Sequence, residues 1–121
     1  MHRTSYDLEN RLIDFTVLIL DLSEKLPNTF GAITLNKQIM RSGTSPALNY
    51  GEAQSAESPR DFLHKLKICL KEMRETQISL KTIRRKAYCA IEYVDRVLNE
   101  CNELVAIFQT SVQTKKRNMS K

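Results

Sequence analysis

Apolar residues recur every three or four positions along most of this chain, with polar residues between them. A period near 3.6 residues indicates α-helix, whereas a strand would alternate at every second position. The repeats form three stripes: Leu8, Leu12, Phe15, Ile19, Leu22 and Leu26; then Phe62, Leu66, Cys69, Leu70, Met73, Gln77 and Leu80; then Ile91, Val94, Leu98, Cys101, Val105, Phe108 and Val112. The pattern therefore predicts three long amphipathic helices.

A fourth helix is predicted through the stretch RSGTSPALNYGEA, residues 41–53, although it holds two glycines and a proline. One face keeps helical phase straight through it, as a loop would have no reason to do; its members are Leu35, Ile39, Ser42 or Gly43, Pro46, Tyr50 and Ala53. We predict one second helix over about residues 31–56, kinked because Pro46 cannot donate to the carbonyl of Ser42. The alternative is a break at Thr44, with Ser45 capping a helix that Pro46 opens.

The breaks between the stripes are short, and they lie at residues 27–30, 57–59 and 86–90. Ser58 before Pro59 is typical of a helix N-cap with proline at the first helical position. Short connections between long helices favour antiparallel neighbours. We therefore predict an all-α fold, a single antiparallel up-and-down four-helix bundle over residues 1–112, followed by a basic, disordered tail over residues 113–121.

The first helix carries a second apolar stripe, Ile13, Val17 and Leu20, on the side opposite its core stripe. We call these three residues the α1 apolar strip. A helix that is apolar nearly all round has to be covered on two sides. The strip is expected to form an interface with another copy of the chain; the alternative is that a corner helix of the bundle buries part of it.

Positive charge is concentrated in one segment. The chain carries a net charge of +5, and residues 60–86 hold nine basic against three acidic side chains. At about 100° per residue, six of the basic residues fall within an arc of roughly 80°. We call these six the basic row: Arg60, Lys67, Lys71, Arg74, Lys81 and Arg85.

The basic row would run for about 37 Å, close to one turn of a duplex. A solvated helix face usually mixes both signs of charge, so this segregation predicts contact with a phosphate backbone, with Arg84 and Lys86 widening the patch. No aromatic residues lie in the row for stacking on single-stranded bases. The alternatives are a charged face without a ligand, or a surface for an acidic protein partner. The tail, with Lys115, Lys116, Arg117 and Lys121, is either a nucleic-acid arm or a solvated end.

The sequence offers little catalytic chemistry. No phosphate-binding glycine motif occurs, and no Glu-x-x-His pair of the kind that holds metals in bundle cores. His64 is predicted to be a surface histidine, and Cys69, Cys89 and Cys101 are predicted to be small core hydrophobes without disulfide or zinc roles. We therefore expect no enzyme activity, cofactor, metal or small-molecule substrate. No apolar run is long enough to span a membrane, so we expect a cytoplasmic protein with no membrane contact.

Several residues resemble the signature of a known family, the four-helix-bundle proteins encoded by intervening sequences of bacterial 23S ribosomal RNA genes. Arg41-Ser42 is followed by Asn49-Tyr50-Gly51-Glu52-Ala53, where the family has Arg-Ser, a few small residues and Asn-Ile-Ala-Glu-Gly. Phe62-Leu63 and Glu75-Thr76 match the third helix. The chain is also similar to the accessory variability determinant proteins of diversity-generating retroelements.

The resemblance implies a homopentamer of bundles with a basic surface that binds RNA or DNA, and, in the retroelement branch, also a reverse transcriptase. It places Asn49 and Glu52 in the family signature, and on the second helix Arg41 and Glu52 lie within about 20° of each other. We expect Arg41, Asn49 and Glu52 to make polar contacts between helices or subunits.

Overall fold

The computed structural model describes residues 5–120, with side chains from residue 7 onward. It contains four α-helices: α1 (Ser5–Lys25), α2 (Phe30–Gln54), α3 (Pro59–Lys86) and α4 (Ile91–Met119). Each helix packs on its neighbour in the chain and α1 also packs on α4, whereas the backbones of the diagonal pairs α1–α3 and α2–α4 stay apart. Side chains still meet across the α2–α4 diagonal, where the rings of Tyr50 and Phe108 pack edge to face with centroids 6.1 Å apart. Among the described residues the fold is thus the predicted up-and-down four-helix bundle. The α2–α3 seam is the most extensive and the α1–α4 seam the least.

The helix ends follow from local capping chemistry. The Thr29 side chain accepts from the Ala32 amide, and the Ser58 side chain accepts from the Asp61 amide at 3.0 Å, which confirms Ser58 as an N-cap before Pro59. α3 ends because Ala87 adopts a left-handed conformation (φ 57°), from which its amide donates to the Arg84 carbonyl. These caps satisfy backbone groups that a helix end would otherwise leave unpaired.

The core consists mainly of the predicted stripes, joined by Ile83, Val97 and Leu104, which those stripes did not include. Burial of their apolar surface is the main favourable term for the fold. Two of the three cysteines, Cys69 and Cys101, are fully buried, as expected for small core hydrophobes. Ile91 is the exception, since it lies half exposed in the first turn of α4. The largest fully buried side chains are Phe15, Phe108, Leu12, Ile19, Leu22, Ile39, Met73, Leu80, Ile83, Leu104, Val94 and Val97.

α2 is one helix through Pro46, which confirms its continuity and excludes a break at Thr44. Its small residues lie on the buried face, where Ser42, Gly43 and Pro46 pack towards α1 and α3. Pro46 lacks an amide hydrogen, so the Ser42 carbonyl has no α-helical donor there. Burial of this face outweighs the lost hydrogen bond.

The structure contradicts one expectation, about the tail, and excludes one alternative, about the α1 apolar strip. The tail predicted to be disordered is helical through Met119, because its lysine, arginine, glutamine and methionine residues are good helix formers and continue α4 beyond buried Val112. Lys121 lies outside the described residues. The α1 apolar strip is not covered by a bundle neighbour, since its three side chains are 39–49% exposed.

Within residues 5–120, none of the helices combines the length and hydropathy that a membrane crossing requires.

Candidate nucleic-acid interface

The basic row lies on the outward face of α3, away from both of the helices that α3 contacts. Its residues are spaced seven, four, three, seven and four positions apart, which keeps them on one straight line along the helix. All six side chains are exposed, and so are Arg84 and Lys86. The predicted cations are therefore brought together on one accessible surface.

Most of these cations are not neutralised within the protein. Only two of the eight lie within 4 Å of a carboxylate among the described residues: Lys71, whose Nζ is 3.9 Å from Glu75 Oε2, and Arg84, which pairs with Asp95 across the α3–α4 seam. The hydrogen bond with Arg84 lowers the pKa of Asp95. Arg84 thus fastens α4 to α3 and contributes less to the open patch than its sequence position predicts.

The C-terminal end of α4 carries further positive charge beside the first turn of α3. The Lys115 ammonium lies 5.1 Å from the centre of the Phe62 ring, in the first turn of α3. A cation over an aromatic face is attracted by the ring quadrupole. Lys116 and Arg117 follow on the same exposed end of α4. The end of α4 is therefore held against the first turn of α3 and carries further cations there.

Ile78 interrupts the basic row with an apolar side chain that is 62% exposed. It lies between Arg74 and Lys81 and lines three shallow grooves, two of which run along the basic row. One groove, of about 440 Å³, also holds Lys67, Leu70, Lys71, Arg74 and Glu75. The other, of about 450 Å³, also holds Lys81, Thr82, Arg85 and Lys86. Ile78 was not among the predicted site residues, although its helical phase marks it as a member of the same face.

Arg41 connects α2 to α3 through two carboxylates. Its Nη1 donates to Glu72 Oε1 at 3.1 Å, and its Nη2 donates to Glu75 Oε1 at 3.0 Å. The side chain of Glu72 is nearly buried, and a buried charge needs such a partner. One turn further, the buried hydroxyls of Ser42 and Thr76 are hydrogen-bonded at 2.8 Å. The Arg-Ser of the signature thus forms a polar joint between the two helices.

The other two signature residues lie nearby. Lys65 Nζ donates to Glu52 Oε1 at 2.6 Å, so Glu52 makes the expected contact between helices. Asn49 bonds within its own helix, where its amide donates to Ser45 Oγ at 2.7 Å. Arg41 and Glu52 thus make polar contacts between α2 and α3, whereas the observed bonds of Asn49 are local to α2.

The surface between α1 and α4 is acidic. A groove of about 540 Å³ between α1 and α4 is lined by Asp14, Phe15, Leu18, Glu92, Asp95, Arg96, Asn99, Glu100 and Glu103. Arg11 bridges this seam, donating to Glu100 from both Nε and Nη2 and to Glu103 from Nη2. A surface rich in carboxylates repels phosphate, so the two sides of the bundle differ in the ligands that they can attract.

The described residues offer no set of groups suited to nucleophilic or metal chemistry. None of their His, Cys, Asp and Glu side chains form a group that could hold a metal ion. Burial raises the pKa of the Cys69 and Cys101 thiols to about 12, which keeps both in the unreactive protonated form. His64 is exposed on α3, as expected for a surface histidine.

The chain is similar to known proteins both in sequence and in structure. The sequence model of the family described as 23S rRNA-intervening sequence protein matches residues 5–110. Among solved structures, the chain is similar to a protein of unknown function from the S23 ribosomal protein family of Bacteroides thetaiotaomicron. The two share 34% sequence identity with a TM-score of 0.79, over 86% of this chain and 96% of the other. The search of curated proteins found no match.

Proposed function

This chain belongs to the family of 23S rRNA intervening sequence proteins, and we propose that it is a non-enzymatic, oligomeric protein that binds the phosphate backbone of structured RNA or duplex DNA through the basic row. The observation that carries the proposal is the row itself, since five of its six cations lack a carboxylate within 4 Å among residues 5–120. An open line of cations about one duplex turn long matches a phosphate backbone in charge and in length.

Backbone contacts of this kind give affinity without much choice of sequence. The row contains no aromatic side chain, so stacking on unpaired bases is not part of the proposed binding mode. Long, flexible lysine and arginine side chains adjust to the position of each phosphate, and each contact releases counterions. The protein should therefore tolerate many sequences and lose affinity steeply as salt rises.

The oligomeric part of the proposal rests on the α1 apolar strip. Three large apolar side chains in successive turns of one helix remain 39–49% exposed in the single bundle. Covering them with a second copy of the chain would remove this surface from water. Because α1 and α3 lie at diagonal corners of the bundle, assembly through the strip leaves the basic row free. The pentamer implied by resemblance is the copy number that we propose.

The proposal is tested by titrating a labelled RNA hairpin and a labelled DNA duplex of the same stem sequence, with fluorescence anisotropy as the readout. The triple variant Lys67→Gln, Arg74→Gln and Lys81→Gln removes three unpaired cations from the basic row. For duplex DNA, its slope of log affinity against log salt should be smaller in magnitude by about 2.7.

A matched control removes three exposed cations that lie on other surfaces: Lys25→Gln, Lys37→Gln and Arg96→Gln. Both triple variants have the same net charge. If binding depends on the basic row, the control keeps nearly the wild-type slope and affinity. Equal losses in the two variants would instead show a response to net charge alone, and would contradict a site on α3.

A second candidate function is supported by Ile78. Phosphate contacts gain nothing from an exposed isoleucine, whereas an amphipathic helix with acidic flanks would place an apolar side chain on it and carboxylates against the neighbouring cations. The grooves beside Ile78 are walled partly by Leu70 and the alkyl parts of lysine and arginine side chains. The same surface would then serve a protein-interaction scaffold with an acidic partner.

Ile78→Lys separates the two candidates because it adds a cation and removes the apolar anchor. If the ligand is a phosphate backbone, the variant should bind duplex DNA with a slope larger in magnitude by about 0.9. Leu48→Lys adds the same charge at an exposed position of α2 and should leave the slope unchanged. Weaker binding of Ile78→Lys than of Leu48→Lys would favour the protein-scaffold function.

A further inference from the structure

Glu75 lies between two cations from different helices and offers one carboxylate oxygen to each. Its Oε1 accepts a hydrogen bond from Arg41 Nη2 at 3.0 Å, whereas its Oε2 is 3.9 Å from Lys71 Nζ. The first distance is that of a charge-assisted hydrogen bond, and the second is too long for one. Glu75 is therefore bound to α2, and Lys71, a member of the basic row, keeps its hydrogen-bond donors free.

Whether Glu75 pairs with Arg41 or with Lys71 affects the charge of the basic row, because of where Glu75 lies. Glu75 and Ile78 both line the groove that contains Lys67, Lys71 and Arg74, and both also line the third of the grooves beside Ile78, of about 340 Å³, which contains Arg41. The carboxylate thus sits at the border between the basic row and the α2–α3 seam. A small change of its side-chain rotamer would move its charge from one groove towards the other.

Two features favour the pair with Arg41. The guanidinium also holds Glu72, so it is fixed between two carboxylates, and its hydrogen bond with Glu75 is the main cause that raises the pKa of Arg41. In contrast, Lys71 precedes Glu75 by four residues on the same helix, and this order of charges is the weaker of the two for such pairs. Arg41 therefore has the stronger hold on Glu75.

We propose that Arg41 is a positioning residue for the basic row: by holding the Glu75 carboxylate on the α2 side, it leaves Lys71 available to a phosphate of the bound nucleic acid. This inference rests on the proposed function, and it gives a role to a signature residue that lies off the row. Without Arg41, Glu75 would pair with Lys71, and the row would lose one effective contact.

The test compares two double variants that have the same net charge as each other and as the wild type. Arg41→Gln with Glu72→Gln removes the holding cation and leaves Glu75 free to turn to Lys71. Arg41→Gln with Glu75→Gln removes the same cation together with the carboxylate that it restrains. The readouts are the salt slope of binding to the labelled DNA duplex and the thermal melting of each variant.

We expect the double variant Arg41→Gln, Glu72→Gln to bind with a slope smaller in magnitude than that of the wild type by about 0.9. The double variant Arg41→Gln, Glu75→Gln should keep the wild-type slope. A purely structural role of Arg41 would lower the melting temperature in both pairs without separating their slopes. Lys65→Gln is a further control, because it releases Glu52 on the same seam at a site that lies off the basic row.

The possible results separate the two levels of the account. Equal slopes in the two double variants, with the wild type binding normally, would overturn the role of Arg41 and leave the proposed function intact. Failure of the wild type to bind either nucleic acid would remove the proposed function and this inference together. A slope that is reduced in Arg41→Gln, Glu72→Gln but equal to the wild-type slope in Arg41→Gln, Glu75→Gln would support both the proposed function and the role of Arg41.

Discussion

Gly43 of α2 packs directly against Ile19 of α1. A Cβ atom added to Gly43 would lie 2.8 Å from Cγ1 of Ile19, and within 3.1 Å of two further carbons of that side chain. Ile19 is fully buried, so it has little room to move away. The glycine that looks like a helix breaker in the sequence is therefore a site of close approach between two helices.

Gly43→Ala is expected to destabilise the bundle. The added methyl group overpacks the contact with Ile19 at a cost of about 1–3 kcal/mol, and the higher helix propensity of alanine offsets about 1 kcal/mol of that. The free energy of unfolding, measured by urea denaturation, should fall. Gly51→Ala is the matched control, since nothing lies within 4 Å of its added Cβ. In Gly51→Ala, the higher helix propensity of alanine should raise the free energy of unfolding by about 0.5–1 kcal/mol. If Gly43→Ala were stabilised as well, the close contact between Gly43 and Ile19 would be contradicted.

The buried bond between Ser42 and Thr76 predicts a non-additive pair of variants. Ser42→Ala removes the hydrogen-bond partner of the buried Thr76 hydroxyl, and Thr76→Val removes the partner of the buried Ser42 hydroxyl. Each loss costs about 1–3 kcal/mol. Removing both hydroxyls leaves no such mismatch, so the double variant should lose less than the sum of the single losses. A double-mutant cycle in urea measures the coupling, and strict additivity would show that the bond contributes little.

The cysteines should differ in reactivity. Because burial raises the pKa of Cys69 and Cys101 from an ordinary value of 9.0 to about 12, both thiols stay protonated at pH 8 in the folded protein. Cys89 is only partly buried. Iodoacetamide should therefore label Cys89 first in the native protein and all three thiols in denaturant. Rapid native labelling of Cys69 or Cys101, read by mass spectrometry, would contradict the packing.

The same pKa shifts give a sign to the dependence of stability on pH. Above about pH 9 the unfolded chain loses its thiol protons while folded Cys69 and Cys101 keep theirs, so the unfolded state is favoured. Their contribution to stability is complete below pH 9 and declines as pH rises towards 12, by about 1.4 kcal/mol per pH unit for each thiol. Denaturation at pH 8 and pH 10 measures the fall. Cys69→Val should reduce it, and an unchanged fall in that variant would argue against this cause.

How much of this fold could be predicted depends on what each residue contacts. The helix through Pro46 is predictable because Ile39, Tyr50 and Ala53 keep one phase on either side of it. Helical continuation into the basic tail is not, because its helix propensity has no apolar stripe to support it. The sequence likewise gives no sign that Arg84 is paired with Asp95, since the two residues lie on different helices.

Only part of the candidate site could be predicted from the sequence. The basic row follows from the spacing of its residues along one helix, which a helical projection fixes. The partners of Arg41 do not follow, because a projection of α2 says nothing about which residues of α3 lie opposite. The helical position of Ile78 on the face of the basic row follows from the sequence. Because Ile78 carries no charge, a prediction based on cations does not include it.

The α1 apolar strip predicts an effect on assembly. Ile13→Gln with Val17→Gln reduces the exposed apolar surface of α1 without touching the core, so the single bundle should stay folded while its oligomer dissociates. Sedimentation velocity measures the change. Leu48→Gln, at a position of α2 that is 70% exposed, is the control and should leave assembly unchanged. An oligomer that survives both substitutions in the strip would place the interface elsewhere.

The central claim, that the basic row binds a phosphate backbone, is tested most directly by the salt dependence of wild-type binding to duplex DNA. The five cations of the row that have no carboxylate within 4 Å among residues 5–120, together with Lys71, predict a slope of log affinity against log salt of about −4 to −6, at about 0.9 for each phosphate contacted. The triple variant of the row should lower its magnitude by about 2.7. A slope near zero, or no binding at low salt, would contradict the account.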